Sequence, residues 1–290
     1  MTGRVSVNLS IMVVTAAALF AFGSVASAHS CDRACLLEQA RQFNANMLVH
    51  TTEKIPLGAN AQIRENTKAI VLADSKWSTV MQIRSQGVYT DATKGNVIEH
   101  LAAETAGGTT VYIGTRLKLV DRKITEVEIN FDDRPNVNAK NLVPYDPVFN
   151  TIVPPEERAT REQLERIITS YFQGLTDHKP IEADYDVRCD RYHSGNRVTH
   201  NARNGVENSG DVGCYESNLG PKPWGPATEV RIALVDPERG IVIGYSILRY
   251  GNSGRAMQIN EVFKILDGRI RMIDNIGLMA EGIKTSGFPN

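Results

Sequence analysis

The chain carries the same hairpin twice. Residues 117–128 read Leu-Lys-Leu-Val-Asp-Arg-Lys-Ile-Thr-Glu-Val-Glu, and residues 263–274 read Phe-Lys-Ile-Leu-Asp-Gly-Arg-Ile-Arg-Met-Ile-Asp. Each is an alternating strand, a tight turn entered at Asp121 or Asp267, and a second alternating strand. Each follows an amphipathic helix at a similar distance. A period of about 140 residues is the size of a whole domain rather than of a solenoid unit. The chain is therefore expected to fold as two similar α+β units, with two similar clefts.

The N-terminus reads as an export signal. Arg4 is the basic start, Ile11 to Phe22 the apolar run, and Ala26-Ser-Ala28 a small-x-small cleavage site. The mature protein should begin near His29, secreted or periplasmic, with no membrane partner after cleavage; an uncleaved anchor is the alternative. A formal net charge of −1 gives no reason to expect nucleic acid as a partner. The 42% hydrophobic content suffices for real cores. Four cysteines, an even number in an exported chain, favour two disulfides. Three pairings are open; the local one, Cys31 with Cys35 and Cys189 with Cys214, is preferred.

Leu36, Ala40, Phe43 and Met47 form one apolar stripe, which predicts a helix over residues 32–50. Strands are expected at 79–89, with a bend or bulge at Gly87, and at 96–104, 109–120 and 124–131. Residues 29–134 make the first unit. Residues 135–156, with Pro135, Pro144, Pro147, Pro154 and Pro155 and no periodicity, read as a linker. Residues 157–290 make the second. Its helix opens on a capping box, Thr160-Arg-Glu-Gln163, and buries Leu164, Ile167, Ile168, Tyr171 and Leu175. Strands follow at 184–192, 229–235, 241–249, 257–266 and 269–276, with a polar insertion at 194–225. The fold class is α+β, two tandem helix-on-curved-antiparallel-sheet domains.

With Phe263-Lys-x-x-Asp-Gly-x-Ile270 entering the last hairpin, the pattern resembles the nuclear-transport-factor-2-like (SnoaL-like) fold, a cone-shaped sheet closed over a helix with a pocket at one end. The chain is also similar to a largely uncharacterised family of exported fungal and bacterial proteins. That likeness rests on Cys31-Asp-Arg-Ala-Cys35-Leu, Arg64-Glu-Asn66 with Trp77, Arg161 to Phe172, Cys189-Asp-Arg-Tyr192 and Val235-Asp-Pro-Glu-Arg-Gly-Ile-Val242. Members often show Glu-Asn-Gly after that Tyr, where this chain has His193-Ser-Gly195, so a role for that Glu does not carry over. The fold resemblance implies chemistry without a cofactor, in which an Asp, His or Tyr at the cone mouth moves a proton.

Gly-x-Gly-x-x-Gly after a strand, the P-loop, His-Glu-x-x-His and Gly-x-Ser-x-Gly are not found in the sequence, which disfavours nucleotide, zinc and serine-hydrolase chemistry. The candidate catalytic set is His193 as base, Asp190 as its orienter, and Tyr192 or Tyr171 as acid or oxyanion donor. At a spacing of two, Asp190 and Tyr192 share a strand face and His193 points the other way unless the strand has ended. Arg249 could hold an anionic group, Tyr245 lies beside it on the same strand, and Trp77 could stack an aromatic ligand. The plainer alternatives are an outward ion pair for Arg249 and a core plug for Trp77. Glu261, Asp274 and Asn275 also fall on the late strands. The expected function is cofactor-independent lyase, isomerase or dehydratase chemistry on a small, largely apolar molecule: aromatic, lignin-derived or polyketide-like. A small-molecule carrier and a structural or interaction protein are the rivals, and a homodimer is left open.

Overall fold

A computed structural model describes residues 31–134, 147–201 and 212–288, apart from 221 and 252, together with positions 1 and 3. The signal-like segment lies outside the described residues, as does the first part of the proline-rich stretch.

The two units have the same plan. Helix α1 (Arg33–Leu48) is followed by β1 (Leu57–Glu65), β2 (Lys68–Ala69), β3 (Val80–Asp91), β4 (Asn96–Thr105), β5 (Thr110–Val120) and β6 (Lys123–Asp132). Helix α2 (Arg161–Asp177) is followed by β7 (Tyr185–His193), β8 (Asn196–Arg197), the single turn α3 (Cys214–Ser217), β9 (Ala227–Asp236), β10 (Ile241–Arg249), β11 (Arg255–Leu266) and β12 (Arg269–Glu281). Each unit builds one six-stranded sheet, in the orders β2-β1-β6-β5-β4-β3 and β8-β7-β12-β11-β10-β9. The orders match strand for strand, so the duplication read from one hairpin extends to both whole sheets.

Local chemistry sets the ends. Asp32 caps α1 by accepting from the Cys35 amide at 2.9 Å. The box at α2 forms in both directions: the Gln163 amide donates to Thr160 Oγ1, and the Thr160 amide donates to Gln163 Oε1. Both repeated hairpins turn through two residues at positive φ, Asp121-Arg122 and Asp267-Gly268, as a two-residue turn compatible with strand twist requires.

Two sequence expectations are corrected. The sheets are mixed rather than antiparallel throughout, because β1 runs parallel to β6 and β7 parallel to β12. A strand that follows a helix across the sheet returns beside the last strand in the same direction, and hairpin signals carry no trace of such a long-range pairing. The irregularity in β3 falls between Val80 and Ser85, ahead of Gly87. The described end of the proline-rich stretch docks on the protein: Phe149 is buried with its ring edge-on to Tyr89, 6.4 Å between centroids.

The helices lie inside the sheets' curves, α1 against β3 and β4, α2 against β9 and β10. The sheets' other faces pack on each other. Odd-numbered positions of β5 and β11 face their own helix, and even-numbered positions face the opposite unit, which is why both strands are buried almost throughout. The contact between units is rich in charge. Arg161 makes a two-pronged pair with Asp91 at 2.8 and 3.0 Å, Arg231 pairs with Glu128 at 2.7 Å, and His100 bridges Asp274 at 2.8 Å and Asn260 at 3.0 Å. For such buried pairs the cost of desolvation offsets much of the mutual attraction.

Cys31 bonds Cys35, and Cys189 bonds Cys214. Structural bridges of this kind belong to oxidising compartments. Among the described residues no helix is long and apolar enough to cross a membrane. The second bridge ties α3 to β7. Replacing Cys189 and Cys214 together with Ser should lower unfolding stability by about 3 kcal/mol, the chain-entropy value for a loop of this length. Denaturant melts of oxidised protein and variant measure this; a loss below about 1 kcal/mol would mean the loop is held by packing alone.

Candidate functional site

Alternation along β7 decides what enters the second cone. Tyr185 and Cys189 pack in its apolar core, and Arg191 and His193 line a cavity. Asp190 and Tyr192 are on the other face. Asp190 receives His200 at 2.8 Å and Arg197 at 2.8 Å. Burial raises its carboxyl, but these hydrogen bonds outweigh that and leave it below its usual range. Tyr192 packs against the cluster between the sheets. The proposed dyad of Asp190 orienting His193 is therefore not assembled: β7 continues through His193, so an odd spacing of three puts the two on opposite faces.

The cavity has a volume of about 490 Å³ and opens at one end of the second cone. Its outer wall includes Pro223, Trp224, Tyr250 and Met279, and Leu248 and Ile259 are among its deeper apolar contacts. Its deep polar end comes from three elements. Glu261 projects from β11, Asn275 from β12 and Tyr171 from α2, and all three are buried. Tyr171 Oη donates to Glu261 Oε1 at 3.1 Å, and Asn275 Nδ2 donates to the same oxygen at 3.0 Å.

The second oxygen, Glu261 Oε2, is buried and has no hydrogen-bond partner among the described residues. The same holds for Asn275 Oδ1 and for the Trp224 indole nitrogen. Unsatisfied polar atoms are rare in folded interiors, and three on residues that line one cavity make it the candidate site. Burial raises the Glu261 carboxyl above the usual glutamate range, against the hydrogen bond from Asn275 and the field of Arg191. Burial also pushes the Tyr171 phenol well up, so it stays a proton donor. His193 adds a second titratable ring facing Glu261, its Nε2 lying over Gly277, where a Cβ would come within 2.6 Å.

The other candidate ligand contacts fall elsewhere. Tyr245 is buried between the sheets, where Asn260 Nδ2 donates to its hydroxyl at 2.9 Å and the Arg231 guanidinium lies 4.6 Å from its ring centre. Arg249 donates to the carbonyls of Ile283 at 2.7 Å and Lys284 at 2.8 Å, holding the C-terminal segment. Trp77 is fully buried in the first unit, edge-on to Phe43. Tyr171 alone of the tyrosines named from the sequence lines the cavity. Glu261 was visible as a late-strand acid, but its role was not, because it requires knowing that α2 sets a phenol against it. Among the described residues no group of three His, Cys, Asp or Glu is placed to hold a metal ion.

Residues 157–277, most of the second unit, match the family model described as "Domain of unknown function (DUF8021)". No curated protein matches the chain. Solved structures similar to it include an NTF-2-like protein of unknown function from Burkholderia xenovorans, at 13% identity over 43% of this chain and 88% of that one, TM-score 0.27. An NTF2-like protein of unknown function from Shewanella baltica is 11% identical over 43% and 99%, TM-score 0.27. A Kribbella flavida protein provisionally assigned as a ketosteroid isomerase is 14% identical over 43% and 84%, TM-score 0.30. No activity is carried over from these proteins to this chain.

Proposed function

We propose that this protein is an exported, cofactor-independent acid–base enzyme, a lyase, isomerase or dehydratase, acting on a small and largely apolar molecule in the second-unit cavity. The observation that carries the reading is Glu261: a buried carboxyl with one oxygen held by Tyr171 and Asn275 and the other unpartnered, beside a ligand-sized apolar space. A carboxyl raised by burial exchanges protons near neutral pH more readily than an exposed one. Glu261 Oε2 would take a proton from a carbon acid. The electron pair left behind would move towards an adjacent carbonyl or expel a leaving group. The proton would return to another carbon, or to the departing oxygen. His193, on the lining of the same cavity, would donate to the oxyanion that develops. The signal-like N-terminus and the two disulfides support export.

The test is incubation of oxidised mature protein with aromatic, lignin-derived and polyketide-like compounds in deuterium oxide, without added cofactor, read by mass spectrometry. Deuterium uptake or a change of mass in a panel member is the expected result. Compounds retained by the protein with every hydrogen and every mass unchanged would overturn the enzymatic reading in favour of a carrier.

A further inference from the structure

The wall that carries His193 and Asn275 is held from behind by the first unit. His193 and Asn275 stand opposite each other on the parallel pair β7 and β12, and both line the cavity. Period two sends the alternate residues of β12 the other way, towards the first unit. There Asp274 meets His100 at 2.8 Å, and Ile276 packs with Ala102 and Tyr112. The turn that ends β7 is gripped as well. Ser194 and Gly195 carry it at positive φ, and the Tyr112 hydroxyl lies where a Cβ on Gly195 would stand. The Ser194 amide donates to the Asn275 carbonyl at 2.7 Å, and the Ser194 hydroxyl donates to Asp132 Oδ2 at 2.6 Å. Asp132 ends β6 of the first unit and is fully buried. Arg134 makes a two-pronged pair with it at 2.7 and 2.8 Å, and Arg134 Nη2 also donates to the Gly277 carbonyl at 2.8 Å. Gly277 is the residue beneath the His193 ring. One ion pair of the first unit therefore holds two points of the wall, the Ser194 turn and the Gly277 backbone. Apolar packing at Ile276 is non-directional, whereas charge-assisted hydrogen bonds are short and directional, so the pair adds a fixed position to the contact.

We infer that the first unit serves as the positioning element of the second unit's cavity, and that Asp132 and Arg134 are positioning residues: through Ser194 and Gly277 they set where the His193 ring and the Asn275 amide stand relative to Glu261. Neither is among the cavity's described lining residues, so both act through others. The inference rests on the acid–base reading of the same cavity and deepens it. Asn275 Nδ2 is one of the two groups that hold Glu261 Oε1, so a shift of the Asn275 backbone passes to the carboxyl itself. A misplacement of about 1 Å at a reacting group can cost about a hundredfold in rate.

Position can be read without turnover. In oxidised mature protein labelled on histidine and asparagine, NMR follows the His193 ring and the Asn275 side-chain amide, assigned by their loss in His193→Gln and Asn275→Asp. Ser194→Ala removes the hydroxyl that Asp132 accepts and leaves Arg134 in place. Arg134→Met removes the fork and its hold on Gly277. In each folded variant the His193 and Asn275 signals should shift, and the Asn275 amide protons should exchange with solvent about tenfold or more faster as the bond to Glu261 loosens. Two controls separate positioning from stability. The Asn44 side-chain amide, which donates to Glu99 in the first unit, should keep its shift and exchange rate. Arg33→Met cuts another pair between the units, to Asp236 at the end of β9, the opposite edge strand of the second sheet. It should lower the denaturant midpoint and leave His193 and Asn275 where they are. On any compound that the protein converts, Ser194→Ala should lower kcat about ten- to a hundredfold with KM within about threefold of wild type. Should Arg134→Met fail to fold, Ser194→Ala decides alone. An Asn275 amide unchanged in folded Ser194→Ala, or changed equally by Arg33→Met, would overturn the inference. If the Asn275 amide responds as expected and no compound is ever converted, the positioning stands as that of a binding cavity and the enzymatic reading falls.

Discussion

Glu261→Gln should reduce turnover of any compound that the protein converts by about a hundred- to ten-thousand-fold, the range over which a positioned general base contributes. The amide keeps the shape of the side chain and can still be held by Tyr171 and Asn275, but it cannot accept a proton at Oε2. Folding should survive, because the substitution removes an acid whose burial opposes its ionisation. Glu261→Asp, one methylene shorter, should retain partial activity. The wild-type pH profile carries a second signature. A base must be deprotonated to work, so kcat/KM should rise with pH through a limb lying above the ordinary glutamate range, and that limb should vanish in the Gln variant. Turnover within a few-fold of wild type in Glu261→Gln would remove this residue from the chemistry. His193→Ala would then be the next variant to measure, as His193 is another titratable side chain on the cavity lining.

The second large effect belongs to the first unit and to stability. Glu99 on β4 is fully buried; Asn44 Nδ2 donates to its Oε1 at 2.8 Å, and its Oε2 has no partner among the described residues. Burial, opposed by that one hydrogen bond, pushes the carboxyl from 4.5 up to about 8. The folded protein therefore holds a proton that the unfolded chain releases between these values. Below pH about 4.5 both states are protonated and the contribution to stability is fully present. It is lost progressively as pH rises through the window, and above about 8 none of it remains. The loss is on the order of a few kcal/mol. Glu261, raised in the same direction, contributes with the same sign. Denaturant melts at pH 5 and pH 8 should show wild type weaker at pH 8 and Glu99→Gln much less sensitive. An unchanged difference between the two pH values in the variant would show that Glu99 ionises without strain.

Comparing the units shows why one acid is a candidate for chemistry and the other for stability. The repeated hairpins align Leu117 with Phe263, so Thr115 stands where Glu261 stands in the second unit. Across the ladder Glu99 pairs with Thr115, and Gly244 pairs with Glu261. The acid has thus moved one strand over. On the helices Phe43 corresponds to Tyr171, so the first unit has no phenol to hold a carboxylate, and Asn44, in place of Phe172, reaches Glu99 instead. In the second unit Phe172 lies over Gly244, where a Cβ would come within 2.5 Å of its ring. The duplicated scaffold is the same; the side chains inside it differ.

Much of the architecture can be read along the chain, because its causes are local. The capping box at Thr160, the apolar stripes of α1 and α2, the Asp-led turns and the strand alternation each act over a few residues, and their repetition implies two units. Short cysteine spacing favours the pairing that forms. Period-two alternation also shows in advance that Asp190 and Tyr192 share a face that His193 lacks. The remainder depends on pieces distant in sequence. The parallel pairings of β1 with β6 and β7 with β12 join segments separated by most of a unit. Tyr171 meets Glu261 across 90 residues, and Arg231 meets Glu128 across 103. Tyr245 and Arg249 read as ligand contacts until the second sheet and the C-terminal segment supply their partners. The sequence alone determined the elements, their order and the doubled plan, since propensity, capping and alternation are properties of neighbours. Only the tertiary structure decided which acid lines a cavity and which phenol and amide hold it, because the environment of a buried charge is set by whatever folds around it.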